Sequence, residues 1–166
     1  MSDMHYNGEF VFSLSYTGAS AASTTTGGTP ITDLARFETL QILATLTGAT
    51  GGVSNVYVQI SHDYMVNLDT ATWWDYGHFA QMADGAAAAS YVINLARNAP
   101  TMQIATIGSG TTASPGVLLD AGGSGAWIGG PWGHAMRIVE VTGSGVSAGA
   151  AQVIKVTGTM PLSRIA

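Results

Sequence analysis

With 166 residues, 46% of them hydrophobic and only 9% charged, the chain suits one domain with a sizeable core and is too apolar to stay disordered. Five Lys and Arg against ten Asp and Glu give a net charge of −5 with no basic stripe, which excludes a phosphate-neutralising nucleic-acid binder. The lack of cysteine excludes disulfides, thiol nucleophiles and cysteine metal sites. Soluble domains carry about 25% charged residues. A surface this poor in charge is made of Ser, Thr, Gly and Ala and is poorly guarded against association, so neighbours are expected to cover much of it.

Taken in chain order, residues 8–16, GEFVFSLSY, put Phe10, Phe12 and Leu14 on one side and read as a strand. The run ends near Ala19-Ser20-Ala21, a cleavage-like triplet, but Asp3 and Glu9 precede it without Lys or Arg, the wrong sign for a secretion signal. No apolar stretch approaches the roughly 18 residues of a membrane span, so no membrane partner is expected. Residues 17–29 read as a Ser/Thr/Gly-rich loop. Residues 37–47, FETLQILATLT, fit helix or strand by apolar spacing, and Thr39, Ile42, Thr45 and Thr47 tilt them toward strand.

The cleanest strand lies in GGVSNVYVQISHD at 51–63, where Val56, Val58 and Ile60 face one way and Tyr57, Gln59 and Ser61 the other. Residues 73–82, 90–96, 101–108 and 116–120 supply further strands, and 84–90 is a loop or a single helical turn. From 108 to 134 the chain is mostly Gly, Ser and Thr, interrupted by Trp127, Ile128, Pro131 and Trp132. At the end, HAMRIVEVTG and AQVIKVTGTM are expected to form a hairpin through SGVSAGA. Short strands between turn signals, with no amphipathic helix of a dozen residues, specify an all-β, single-domain antiparallel sandwich with long Gly/Ser/Thr loops. It is jelly-roll-like and spans 1–166, with 1–8 as an N-terminal arm.

Two motif matches are declined. Gly143 to Ala148 satisfies G-x-G-x-x-A, but a dinucleotide site needs a helix next, and AQVIKV reads as a strand. Gly145 to Gly149 satisfies G-x-S-x-G, but a hairpin tip cannot hold the Ser147 hydroxyl as a nucleophile elbow does. His62 beside Asp63, and His78 near Asp75, lack metal-ligand spacing and suit strand ends or a polar rim, while His134 opens a strand. Asp63, Asp69, Asp75 and Asp84 read as turn formers rather than calcium ligands. Nothing singles out two facing carboxylates, so the sequence specifies no enzyme, cofactor or metal.

One constellation remains. A period-two strand ends in Ser61-His62-Asp63, a loop follows, and TWWDYGHFAQM opens the next strand. ETLQILATLTG precedes it and AMRIVEVTGSGVSAGAAQVIKVTGTM follows. Over about 37–160 this resembles the small β-sandwich proteins of tailed-phage virions, with their V-x-V-Q-x-S-x-D strand, Trp-opened next strand and closing R-I-V strand paired with the last. The chain departs from that pattern in having the longer YMVNLDTAT where the family has a tight Asp-Gly-Thr turn. The resemblance implies a head decoration, or cement, protein: a non-enzymatic structural component, commonly a homotrimer, that binds the major capsid protein outside the shell. It would be assembled in the host cytoplasm and located on the virion surface.

A tail, fibre or baseplate sandwich, whose aromatic platforms could stack on sugar faces, is the alternative. Strict alternation sends Trp73 and Trp74 to opposite faces, one to plug the core and the other to a rim or interface, with Tyr76 on the face of Trp74 and Asp75 on that of Trp73. Trp73, Trp74, Tyr76, Trp127 and Trp132 are the interface candidates, because Trp and Tyr dominate binding hot spots. Trp127 and Trp132 sit in a loop where each is either a plug or an anchor.

Overall fold

Period-two patterning persists as nine strands in the computed structural model, which describes residues 9–17, 24–66, 71–97, 125–127, 131–142 and 151–160. They are β1 (Glu9–Thr17), β2 (Thr24–Thr32), β3 (Thr39–Leu46), β4 (Ser54–Ser61), β5 (Trp74–His78), β6 (Ala89–Ala96), β7 (Ala126–Trp127), β8 (Ala135–Thr142) and β9 (Ala151–Thr159). A 3-10 turn, Leu34–Arg36, is the only helical element among the described residues. Two antiparallel sheets result: sheet A in the order β1-β9-β3-β6, and sheet B in the order β2-β8-β4-β5-β7. Apart from the two-residue β7, the strands pair in nested fashion, β1 with β9, β2 with β8, β3 with β6 and β4 with β5.

The core lies between the sheets. Leu40, Ile42, Ala44 and Leu46 of β3 and Ile154 and Val156 of β9 meet Val56, Val58 and Ile60 of β4 and Met136 and Ile138 of β8. Fully burying one such aliphatic side chain stabilises by about 1.5–3 kcal/mol. The β1 register sets Phe10, Phe12 and Leu14 opposite Gly158, Val156 and Ile154, the core-side positions of β9. One polar bridge crosses the interior. Glu140 Oε1 of sheet B accepts from the Ser54 hydroxyl and, from across the interior, from Gln152 Nε2 at 3.0 Å, and Gln152 also bonds both backbone groups of Thr47, just past β3 in its own sheet. Buried polar groups are tolerated where partners replace water.

Two expectations are corrected. The segment read as a loop over 17–29 carries β2, which pairs with β8 from Thr24↔Val141 to Thr32↔Ala135. Gly27, Gly28 and Pro30 masked it in the sequence, and they coincide with a register break between Gly27 and Ile31, where an edge strand tolerates a missing donor. The C-terminal strands exist but form no hairpin. β8 lies in sheet B between β2 and β4, whereas β9 lies in sheet A between β1 and β3. The connection 143–150 is long enough to pass from one sheet to the other, so adjacency in sequence does not become pairing. The arm 1–8, the strands expected at 101–108 and 116–120, and both declined glycine motifs lie outside the described residues.

Candidate functional site

The two outer faces differ sharply. On sheet B, cross-strand rows bring His78, Tyr57 and Val139 together, and next to them Asp75, Gln59 and Arg137. All are buried except Arg137, which is half-buried. The second row is one hydrogen-bonded relay: Arg137 Nε donates to Gln59 Oε1 at 2.8 Å, and Gln59 Nε2 donates to Asp75 Oδ1 at 2.6 Å. The guanidinium lies 4.3 Å over the Trp73 ring, and Tyr64 tilts against the same ring at 5.4 Å. Burial pushes the Arg137 pKa down, while the charge of Asp75 partly restores it. At the end of the strand, Asp63 Oδ1 accepts from the Ser61 hydroxyl at 2.8 Å and from the Thr72 amide at 2.9 Å, closing the loop between β4 and β5. Asp63 is therefore a turn former, and so is Asp84, whose Oδ1 takes the Gly51 amide at 2.7 Å.

The tryptophan-rich strand owes its aim to a bulge. Val58 pairs with Gly77 and Gln59 with Asp75, so Tyr76 is the extra residue. That inserted step leaves Tyr76 in the core, returns His78 to the outer face beside Tyr57, and turns Phe79 inward. Gly77 leaves room for Trp127, whose ring lies where a Cβ would stand and meets Phe79 edge-on at 5.2 Å. The His78 Nδ1 donates to the Phe79 carbonyl at 2.9 Å.

The interface candidates divide accordingly. Trp132 is a core plug, its Nε1 donating to the Leu34 carbonyl at 2.9 Å with Arg97 stacked 5.8 Å away. Trp127 is partly buried against the core, and Tyr76 is buried within it. Trp73 is 7% exposed on the outer side of sheet B, whereas Trp74, at the start of β5, is 47% exposed. Neither Trp73 nor Trp74 plugs the core. Trp73 and Asp75 do share one side and Trp74 and Tyr76 the other, since Gln59 opposes Asp75 and Ile60 opposes Trp74. His62 is exposed just after β4, and His134 just before β8. Among the described residues, no group of three or more His, Asp or Glu side chains could hold a metal ion.

Sheet A presents the opposite picture. The β3 burial alternates strictly, and its exposed positions line up with those of β6 and β9. The rows read Ala96–Thr39–Thr159, Asn94–Gln41–Thr157, Val92–Leu43–Lys155 and Ser90–Thr45–Val153, and Lys155 is the one ionisable side chain in them. Leu43, Val92 and Val153 are 37%, 58% and 40% exposed, with Val92 directly opposite Leu43 and Val153 diagonal to it, opposite Thr45. At one end, a depression of about 450 Å³ is lined chiefly by Thr39, Gln41, Asn94, Thr157 and Thr159. There Gln41 Nε2 donates to Asn94 Oδ1 at 2.9 Å, and the Thr39 and Thr159 hydroxyls bond each other. These rows are nearly uncharged and lightly apolar. They offer area and hydrogen-bonding groups to a partner, but no aligned acid, base or nucleophile. Aromatic content drew the sequence reading to sheet B. The signal for sheet A was the run of alternate positions in 37–47, 90–96 and 151–160 that carry no charge except Lys155. No protein-family profile, curated protein or solved structure matches the chain.

Proposed function

We propose that the chain is a structural virion protein that attaches to the outside of a phage capsid and stiffens the shell by bridging major capsid subunits. The observation that carries this reading is the outer face of sheet A, where the rows of β3, β6 and β9 expose Leu43, Val92 and Val153 and hold a single charge. A solvated monomer surface intersperses charges of both signs, and a neutral sheet face with exposed aliphatics marks a surface meant for contact. Burying such a face yields about 25 cal/mol per Å² of apolar area, and many repeated copies sum modest contacts into firm attachment. The nested strand pairing is the one from which a jelly roll is wound, an architecture used in capsid proteins. The reading assigns the protein no reaction, cofactor or nucleic-acid partner.

The test is to add purified protein to empty phage capsids and measure bound copies and resistance to heat and osmotic shock. The reading expects saturable binding and a raised disruption temperature. Capsids that bind no copies and gain no resistance would sink it. Glycan binding lost on Trp74→Ala would instead favour the tail or fibre alternative, since Trp74 is the most exposed tryptophan described.

A further inference from the structure

An edge strand presents unpaired backbone donors and acceptors, and proteins blunt such edges with proline, bulges, charge, shortness or cover. Three of the four sheet edges here are blunted. β2 carries Pro30 and a register break, β7 has two residues, and β1 runs beside β2. β6 is different. It pairs with β3 in unbroken register from Leu46↔Ala89 to Thr39↔Ala96, and no described strand pairs with its other side. Its sequence, ASYVINLA, contains no Pro, Gly, Asp, Glu, Lys or Arg.

We propose that β6 is a self-pairing edge, along which two copies of the chain join antiparallel about a twofold axis, so that sheet A continues from one copy into the next. Twofold pairing sets an edge against itself, so a charge close to the axis would face its own like charge. β6 has none. Head-to-tail pairing would need a second open edge, which the described strands do not offer, so the joint closes at two copies. Opposed residues in a sheet point the same way, so the outer face continues only if the paired positions have an even sum. Pairing Val92 with its own copy meets this condition and sets Ser90 opposite Asn94 of the second copy. Leu43, next to Val92 on β3, then extends the apolar strip across the joint. This inference does not depend on the capsid reading. It predicts a dimer where the phage resemblance implies a trimer.

The chain has no cysteine, so single-cysteine variants report the joint directly. In the proposed register the two position-92 Cα atoms lie about 4.5–5.5 Å apart, within disulfide reach. Those at position 43 lie three strand spacings apart, about 14 Å, and are out of reach. Mild oxidation is expected to convert most Val92→Cys to covalent dimer while Leu43→Cys stays monomeric. In sedimentation, the wild-type chain is expected as a dimer and Val92→Lys and Val92→Glu each as monomers of unchanged circular dichroism. Mixing the two charged variants is expected to restore the dimer. A wild-type trimer, a wild-type monomer at high micromolar concentration, or equal crosslinking at positions 92 and 43 would each overturn the proposal.

Discussion

The outer faces of sheets A and B are both built from antiparallel strands, yet one is open and the other sealed. The difference lies in what the outward side chains can do for one another. In β4 and β8 they are Gln59 and Arg137, and β5 adds Asp75, which together bond in series beneath a stacked guanidinium. In β3 and β9 they are four threonines with Gln41, Leu43, Lys155 and Val153, whose reach is short or whose head prefers water. A polar face can be buried within its own chain only when each group finds a partner. Sheet B meets that condition, while the outward side chains of β3, β6 and β9 in sheet A stay largely exposed.

The strongest way to break this contrast is Asp75→Ala. It leaves the Gln59 amide and the Arg137 charge without their carboxylate in a buried row, and the expected cost is about 3 kcal/mol in urea unfolding. The matching change on the open face, Gln41→Ala, removes one exposed hydrogen bond and is expected to stay within about 0.5 kcal/mol. Equal losses at the two sites would mean that the faces do not differ as described. Next in size is Gly77→Val, which places a branched side chain where the Trp127 ring lies and is expected to cost about 2 kcal/mol. Lost tryptophan fluorescence anisotropy would show Trp127 released from the core.

How much of this contrast was legible follows from range. The strands β1, β3, β4, β6, β8 and β9 are visible as local alternation, because one buried face imposes a period of two. β2 was hidden because its glycines and proline mimic a loop while serving a register break. The sheet assignment of β8 and β9 was hidden because pairing between strands far apart in sequence leaves no local trace. The same holds for the Arg137–Trp73 stack, which joins residues whose nearness is set only by the rows of sheet B. The bulge at Tyr76 was illegible too. Alternation through TWWDYGHF continues smoothly in sequence, and only the register shows the inserted step that turns His78 outward and Phe79 inward.

A pH-dependent effect sharpens the contrast from the core side. Burial raises the Tyr76 pKa to about 12 from 10.0. A phenol that stays protonated when folded but ionises more readily when unfolded favours the fold below pH 10, and that contribution is lost as pH rises through about 12. Stability should therefore fall between about pH 10 and pH 12, and Tyr76→Phe should flatten that fall. An unchanged pH slope in the variant would place Tyr76 in contact with water.

The central claim is that neighbouring proteins cover the outer face of sheet A, and side-chain footprinting of Leu43 and Val153 tests it most directly. Free protein and capsid-bound protein would be labelled by hydroxyl radicals under identical dose, with Trp73 as the sealed reference. The account predicts that Leu43 and Val153 label readily when free and several-fold less when bound, while Trp73 labels weakly in both. Labelling of Leu43 and Val153 that stays the same on the particle would contradict it.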